Sequence, residues 1–224
     1  MLRRVIGVTV MLWLFAADGA WAAAPACPKP KGFAQPQVKV VTTLPPIQYN
    51  RTLSVRQITQ MHASADSNGK THDANTLGLT VSKFTAQWGM DFLAGKLANG
   101  SNCIWLRRVE IKLAVPEVTV YVASEYQPGN CEYNAVLAHE NEHVRINTEV
   151  MTVRARTLET ELKAAVGKLA PLVSKMEPRA AVEKELGGLV ERHLAEMNTE
   201  RDRRNAAIDS DHSYRTVAQK CRNW

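Results

Sequence analysis

The segment Cys131-Glu132-Tyr133-Asn134-Ala135-Val136-Leu137-Ala138-His139-Glu140-Asn141-Glu142-His143-Val144 decides how this chain of 224 residues is read. From Cys131 to about Leu169, apolar Leu137, Val144, Met151, Leu158 and Leu162 recur along one stripe, joined by Val136, Ala155 and Val166. That period is the signature of one long amphipathic helix. Within it, His139-Glu140-Asn141-Glu142-His143 spells H-E-x-x-H. Four residues are just over one helical turn, so both imidazoles leave the same face. One nitrogen of each can then reach a single metal ion at about 2.0 to 2.1 Å. Glu140 sits beside that face, where its carboxylate can take a proton from an attacking water instead of binding the metal. A chain of this length matches the pattern by chance in very roughly one sequence in a hundred or two, so an accidental match on a solvated face is weak competition.

Outward from the helix toward the N-terminus the period falls to two. Tyr126 to Asn130 reads as a turn with Asn130 as helix cap. Ile104 to Leu113 and Val118 to Ala123 alternate apolar and polar residues on either side of Pro116 and are expected to form an antiparallel pair. A strand region is expected from Leu77 to Met90, a short helix from Arg51 to His62, and a first strand at Val38 to Thr42, within a proline- and lysine-rich arm from Cys27 to Pro46. Asp66 to Lys70 is a turn by composition. A calcium loop there lacks the oxygen ligands and terminal glutamate at the required spacing. Toward the C-terminus, Pro171 and Pro178 interrupt the long helix. Pro178 opens a second helix to about Asn205, with Gly187-Gly188 as the place where it would break, and Ile208 to Cys221 is helical again. The fold class is therefore α+β. A small antiparallel sheet, with strands at about 36–126, packs against the H-E-x-x-H helix and further C-terminal helices at about 130–221.

Arg3 and Arg4 precede an apolar run from Val5 to Ala17, and Ala20-Trp21-Ala22 offers small residues for cleavage. Residues 1–22 read as a secretory signal peptide, leaving a single domain over 23–224 in the periplasm or secreted. Lipid attachment at Cys27 is disfavoured by Pro25. No later segment reaches the about 20 apolar residues that an integral membrane span needs. Export places Cys27, Cys103, Cys131 and Cys221 in an oxidising compartment, and an even count implies two disulfides. Of three pairings, Cys103 with Cys131 and Cys27 with Cys221 are favoured. No two cysteines lie close enough in sequence for a zinc ligand pair. The formal charge of +6 becomes about +5 without the signal, a mild excess that makes no case for nucleic acid.

A catalytic zinc takes a third protein ligand and keeps a position open. Glu149 lies at an interval used by some metalloproteases, but Ile146 lets the helix continue where those chains break it, so Glu149 points away. The candidates are then His193, Asp209, Asp211 and His212. His212 comes first, and Asp209 next, as a ligand or as an acceptor orienting a histidine. Tyr214, His193 and Arg145 are candidate donors to a developing oxyanion. The strand Val118 to Ala123 is either a sheet edge over the site, open to an added substrate strand, or an ordinary interior strand.

These residues, with Cys103 and Trp105 on a strand and the segment from Cys131 to Val144, resemble a bacterial family of zinc-dependent proteases known as domain of unknown function 922. The resemblance covers most of the mature chain and implies an exported α+β zinc protease. Such proteins carry an aspartate followed by Thr-x-His-Gly near the end. This chain reads Ile208-Asp209-Ser210-Asp211-His212-Ser213-Tyr214, without that threonine and glycine. The expectation is a periplasmic zinc-dependent hydrolase, a metallopeptidase with Zn2+ on His139 and His143, Glu140 as general base, and a peptide or protein substrate in the cell envelope. The alternatives are a zinc-stabilised, non-catalytic envelope interaction protein and a metal-free helical protein with an accidental motif. Protein, peptide and peptidoglycan cross-bridge remain open as substrates, as does the oligomeric state.

Overall fold

The computed structural model describes residues 27–65, 75–222 and 224, so the expected signal segment and the turn at 66–70 lie outside the described residues. The first half supplies strands β1 (Gln37–Thr43) and β2 (Gln48–Asn50), helix α1 (Val55–Ala65), and strands β3 (Gly78–Ser82), β4 (Thr85–Lys96), β5 (Asn102–Ala114) and β6 (Val118–Val122). The second half supplies helix α2 (Cys131–Lys168), the short strand β7 (Leu172–Ser174), and helices α3 (Pro178–Ile208) and α4 (Asp211–Ala218). The architecture is α+β.

The strands form two small sheets of mixed direction. β5 is the spine of the first: β4 runs antiparallel along one side, while β1, parallel, and β7, antiparallel, share the other. In the second, β6 lies between β2, parallel, and β3, antiparallel. The expected antiparallel pairing of the two strands flanking Pro116 is therefore corrected, because β5 and β6 belong to different sheets. Pro116 lacks an N–H and has a fixed φ, so it bends the chain instead of extending a ladder. The neighbouring parallel segment bends at the same level, through Pro45-Pro46 between β1 and β2, and the Val115 N–H donates to the Thr43 carbonyl across the two bends. Two adjacent segments thus change sheet together.

The inward alternation of β5 puts Val109, Ile111 and Leu113 in full burial beneath α2, where Ile146, Met151, Leu158 and Leu162 are equally buried. Each such side chain contributes about 1.5 to 3 kcal/mol relative to exposure. α2, 38 residues and about 57 Å long, pairs antiparallel with α3: Glu161 meets Arg192, Arg154 meets Glu196, and Glu149 meets Arg204, stepping in opposite directions along the two helices. Exposed pairs of this kind contribute about 0 to 1 kcal/mol each, so they set register more than stability. The seam is held by Val182, Leu186, Val190 and Met197 of α3. Buried Leu186 and Val190 bracket Gly187-Gly188, and α3 runs through unbroken. Its antiparallel course returns the C-terminal end of α3 to the beginning of α2.

That return decides one of the two disulfides, and the course of the N-terminal arm the other. The pairs are Cys27–Cys103 and Cys131–Cys221, which corrects the favoured Cys103–Cys131 and Cys27–Cys221. The arm before β1 lies along the start of β5, with Phe33 against Trp105 at 5.0 Å between ring centroids. The segment after α4 ends against the first residue of α2. Among the described residues no helix is long and apolar enough to cross a membrane.

Candidate metal centre

The buried face of α2 turns polar near its beginning. Val136, Glu140, His143 and Asn147 are all buried and lie along one stripe, whereas Leu137 and Val144, expected to lead it, are only half-buried. What covers this stripe is β3. Its alternate residues Gly78, Thr80 and Ser82 face the helix. Thr80 Oγ1 donates to Glu140 Oε2 at 2.8 Å, and Asn147 Nδ2 donates to Ser82 Oγ at 2.8 Å. Gly78 has a packing reason: a Cβ there would stand 2.7 Å from both Glu140 Oε1 and Val136 Cγ1. Glycine inside a strand commonly marks such a close approach. Burial pushes the Glu140 carboxyl above the usual carboxylate range, although His143 and Thr80 pull it back.

The third member of the cluster is Asp209, the residue that ends α3. Its Oδ1 lies 3.1 Å from His139 Nε2 and 3.2 Å from His143 Nε2, and the three donor atoms all lie within 4.8 Å of one another. Tetrahedral zinc with bonds of about 2.0 to 2.1 Å separates its ligand atoms by about 3.3 Å, so these two imidazoles and one carboxylate fit the ion. The imidazole rings stand nearly perpendicular, at 87° with centroids 5.1 Å apart. Burial alone would lower the pKa of His143, but the hydrogen bond and charge of Asp209 outweigh it and raise the value to about 9. The two imidazoles in turn overcome burial at Asp209 and hold it well below the usual carboxylate range. A carboxylate that draws a proton onto an adjacent imidazole also attracts a cation in that proton's place.

Ser210 then caps α4, its Oγ accepting from the Ser213 N–H. This turn carries the chain over the cluster, and Tyr214 Oη donates to Asp209 Oδ1 at 3.3 Å. Burial, followed by the Asp209 charge, pushes the Tyr214 phenol up and keeps it a proton donor. The same turn leaves His212, the first-choice third ligand, exposed and outside the donor group, whose third member is Asp209. Asp211 lines the neighbouring cavity without joining the group.

Other expected participants lie elsewhere. His193 is buried between α2 and α3, 3.3 Å from Glu161. Arg145 is engaged by Glu142 and Glu149, and Glu149 also binds Arg204 at 2.7 Å, which leaves both residues away from the site. The strand over the site is β3, at the edge of its sheet, whereas β6 lies in the middle. Thr80 and Gly78 were not singled out from sequence, although small residues at 78, 80 and 82 of one strand were a legible sign of close packing. A cavity of about 700 Å³ opens beside the cluster, lined by β3, the start of α2, and α4. No family model, curated protein or solved structure matches the chain.

Proposed function

We propose that this chain is an exported, zinc-dependent hydrolase of peptide or amide bonds, kin to the protease family that its helix motif resembles. The observation that carries the reading is Glu140. It is a buried carboxylate beside three convergent metal donors without being one of them, oriented by Thr80 and open to a cavity. His139, His143 and Asp209 would hold the zinc ion, which would supply Lewis acidity toward a carbonyl and a water. Glu140 accepts the proton of the attacking water and passes it to the leaving nitrogen, and burial, which raises its carboxyl above the usual range, strengthens it as the acceptor. Tyr214, at the edge of the donor group, offers a hydroxyl to the oxyanion. Among the described residues β3 lies at the edge of its sheet, where an extended peptide can add as a further strand. Two disulfides support an oxidising compartment.

The alternative of a non-catalytic bracing zinc is less well supported. Structural sites use four protein ligands, and among the described residues the group offers three beside a cavity. The test is Glu140→Gln. Zinc content by plasma mass spectrometry is expected to stay stoichiometric while hydrolysis of denatured casein falls by about 10²- to 10⁴-fold. A variant that keeps zinc and full activity removes Glu140 from the reaction.

A further inference from the structure

The cavity beside the cluster has a mixed lining. Glu140, the two histidines, Asp209 and Tyr214 form its reacting part. Leu77, Val136, Val217, Ala218 and Trp224 add apolar wall. Val136 stands one turn before Glu140 on α2, and Val217 and Ala218 stand one turn after Tyr214 on α4. The apolar wall thus begins about 5.4 Å from the reacting groups on two elements at once. That is close to the step from a scissile carbonyl to the side chain of a flanking residue.

The indole N–H of Trp224 is already satisfied, donating to the Ala218 carbonyl at 2.7 Å, and its ring meets Tyr126 edge-on at 6.1 Å. Its carbon surface is left for a ligand. Cys131–Cys221 ties this wall to the first residue of α2. The ionisable residues of the cavity outside the cluster, Asp211, Arg215 and His62, which bonds Thr76, favour no single charge sign in a substrate.

Resting on the hydrolase reading, we infer that the apolar wall is a specificity subsite for a large apolar side chain, aromatic or branched aliphatic, flanking the scissile bond. The substrate class is then unfolded polypeptide. Peptidoglycan cross-bridges, built from small and charged residues, leave this wall uncovered.

The experiment incubates the zinc-loaded mature chain with denatured casein and, separately, with purified peptidoglycan sacculi, and maps the products by mass spectrometry. Cleavage beside Phe, Leu, Ile, Met or Tyr is expected to exceed cleavage beside Ala, Gly or Asp by at least about tenfold, with sacculi intact. Val217→Trp, which fills the compartment, is expected to lower cleavage at large side chains about tenfold more than at Ala or Gly. A binding arm independent of turnover compares acetyl-Phe-hydroxamate with acetyl-Gly-hydroxamate by calorimetry on zinc-loaded Glu140→Gln protein. At least about tenfold tighter binding of the first is expected. Cleavage without side-chain bias, equal hydroxamate affinities, or digestion of sacculi with casein spared overturns the subsite and leaves the hydrolase standing. Absence of all hydrolysis with the tenfold Phe preference retained overturns the hydrolase and leaves the apolar binding wall standing.

Discussion

Replacing Gly78 by alanine tests the contact on which the site's geometry depends. The added methyl would lie 2.7 Å from Glu140 Oε1, 2.8 Å from Glu140 Cγ and 2.7 Å from Val136 Cγ1, closer than real carbon contacts allow. Alanine gains about 0.4 to 1 kcal/mol by restricting the unfolded chain, whereas overpacking costs about 1 to 3 kcal/mol. The second effect wins, because the nearest neighbour cannot simply withdraw. Glu140 is buried and its carboxylate is held by Thr80. A net loss of about 1 to 2 kcal/mol follows, or roughly 2 to 8 °C in Tm for a domain of this size. The functional loss is larger: a displacement of Glu140 by about 1 Å costs on the order of 10²-fold in rate. The atoms nearest the new methyl belong to Glu140 and Val136 and not to the three metal donors, so zinc content is expected to stay at the wild-type level. Thermal denaturation, metal analysis and casein hydrolysis together check this. An alanine variant as stable as the parent would refute the close approach of β3 to α2. One that is destabilised but fully active would refute the need for Glu140 at that position.

Zinc affinity should depend on pH. His143 stays protonated to about pH 9 in the metal-free protein, and binding must release that proton, so apparent affinity rises by up to tenfold per pH unit from about 7 to 9 and flattens above. Competition with a chromophoric chelator measures this, and a flat profile contradicts the His143–Asp209 pair. Stability of the metal-free protein runs the opposite way. The folded pKa of His143 lies above its ordinary 6.5, so its contribution, at most about 3 kcal/mol, is complete below about pH 6.5 and is lost as pH rises through about 9, as urea denaturation in chelator should show. Asp209→Asn should weaken zinc binding by at least about tenfold, while His212→Ala leaves it unchanged; calorimetry showing the reverse would restore His212 as the ligand. A non-reducing peptide map should recover Cys27–Cys103 and Cys131–Cys221. Replacing the second pair, 90 positions apart in sequence, by serines should cost about 4.6 kcal/mol on a chain-entropy account.

Periodicity and spacing determined a good deal by themselves. A 3.6-residue repeat from Cys131 onward can only be a long helix, and H-E-x-x-H on that helix puts two imidazoles on one face whatever the rest of the chain does, because both follow from local backbone geometry. The α+β division is legible for the same reason. Which residue joins those imidazoles is not local. Asp209 and His212 are three positions apart, and the turn at Ser210, together with the antiparallel docking of α3 on α2, aims the first at the cluster and the second at solvent. Strand pairing and disulfide partners are likewise set by which distant segments the core brings together. Alternation around Pro116 suggested a hairpin, yet each strand pairs in parallel with an N-terminal strand, β1 or β2, and the cysteines join whichever distant segments meet, the arm with β5 and the C-terminal segment with α2. Local geometry put two imidazoles on one face; long-range packing brought Asp209, the covering strand and the apolar cavity wall beside them.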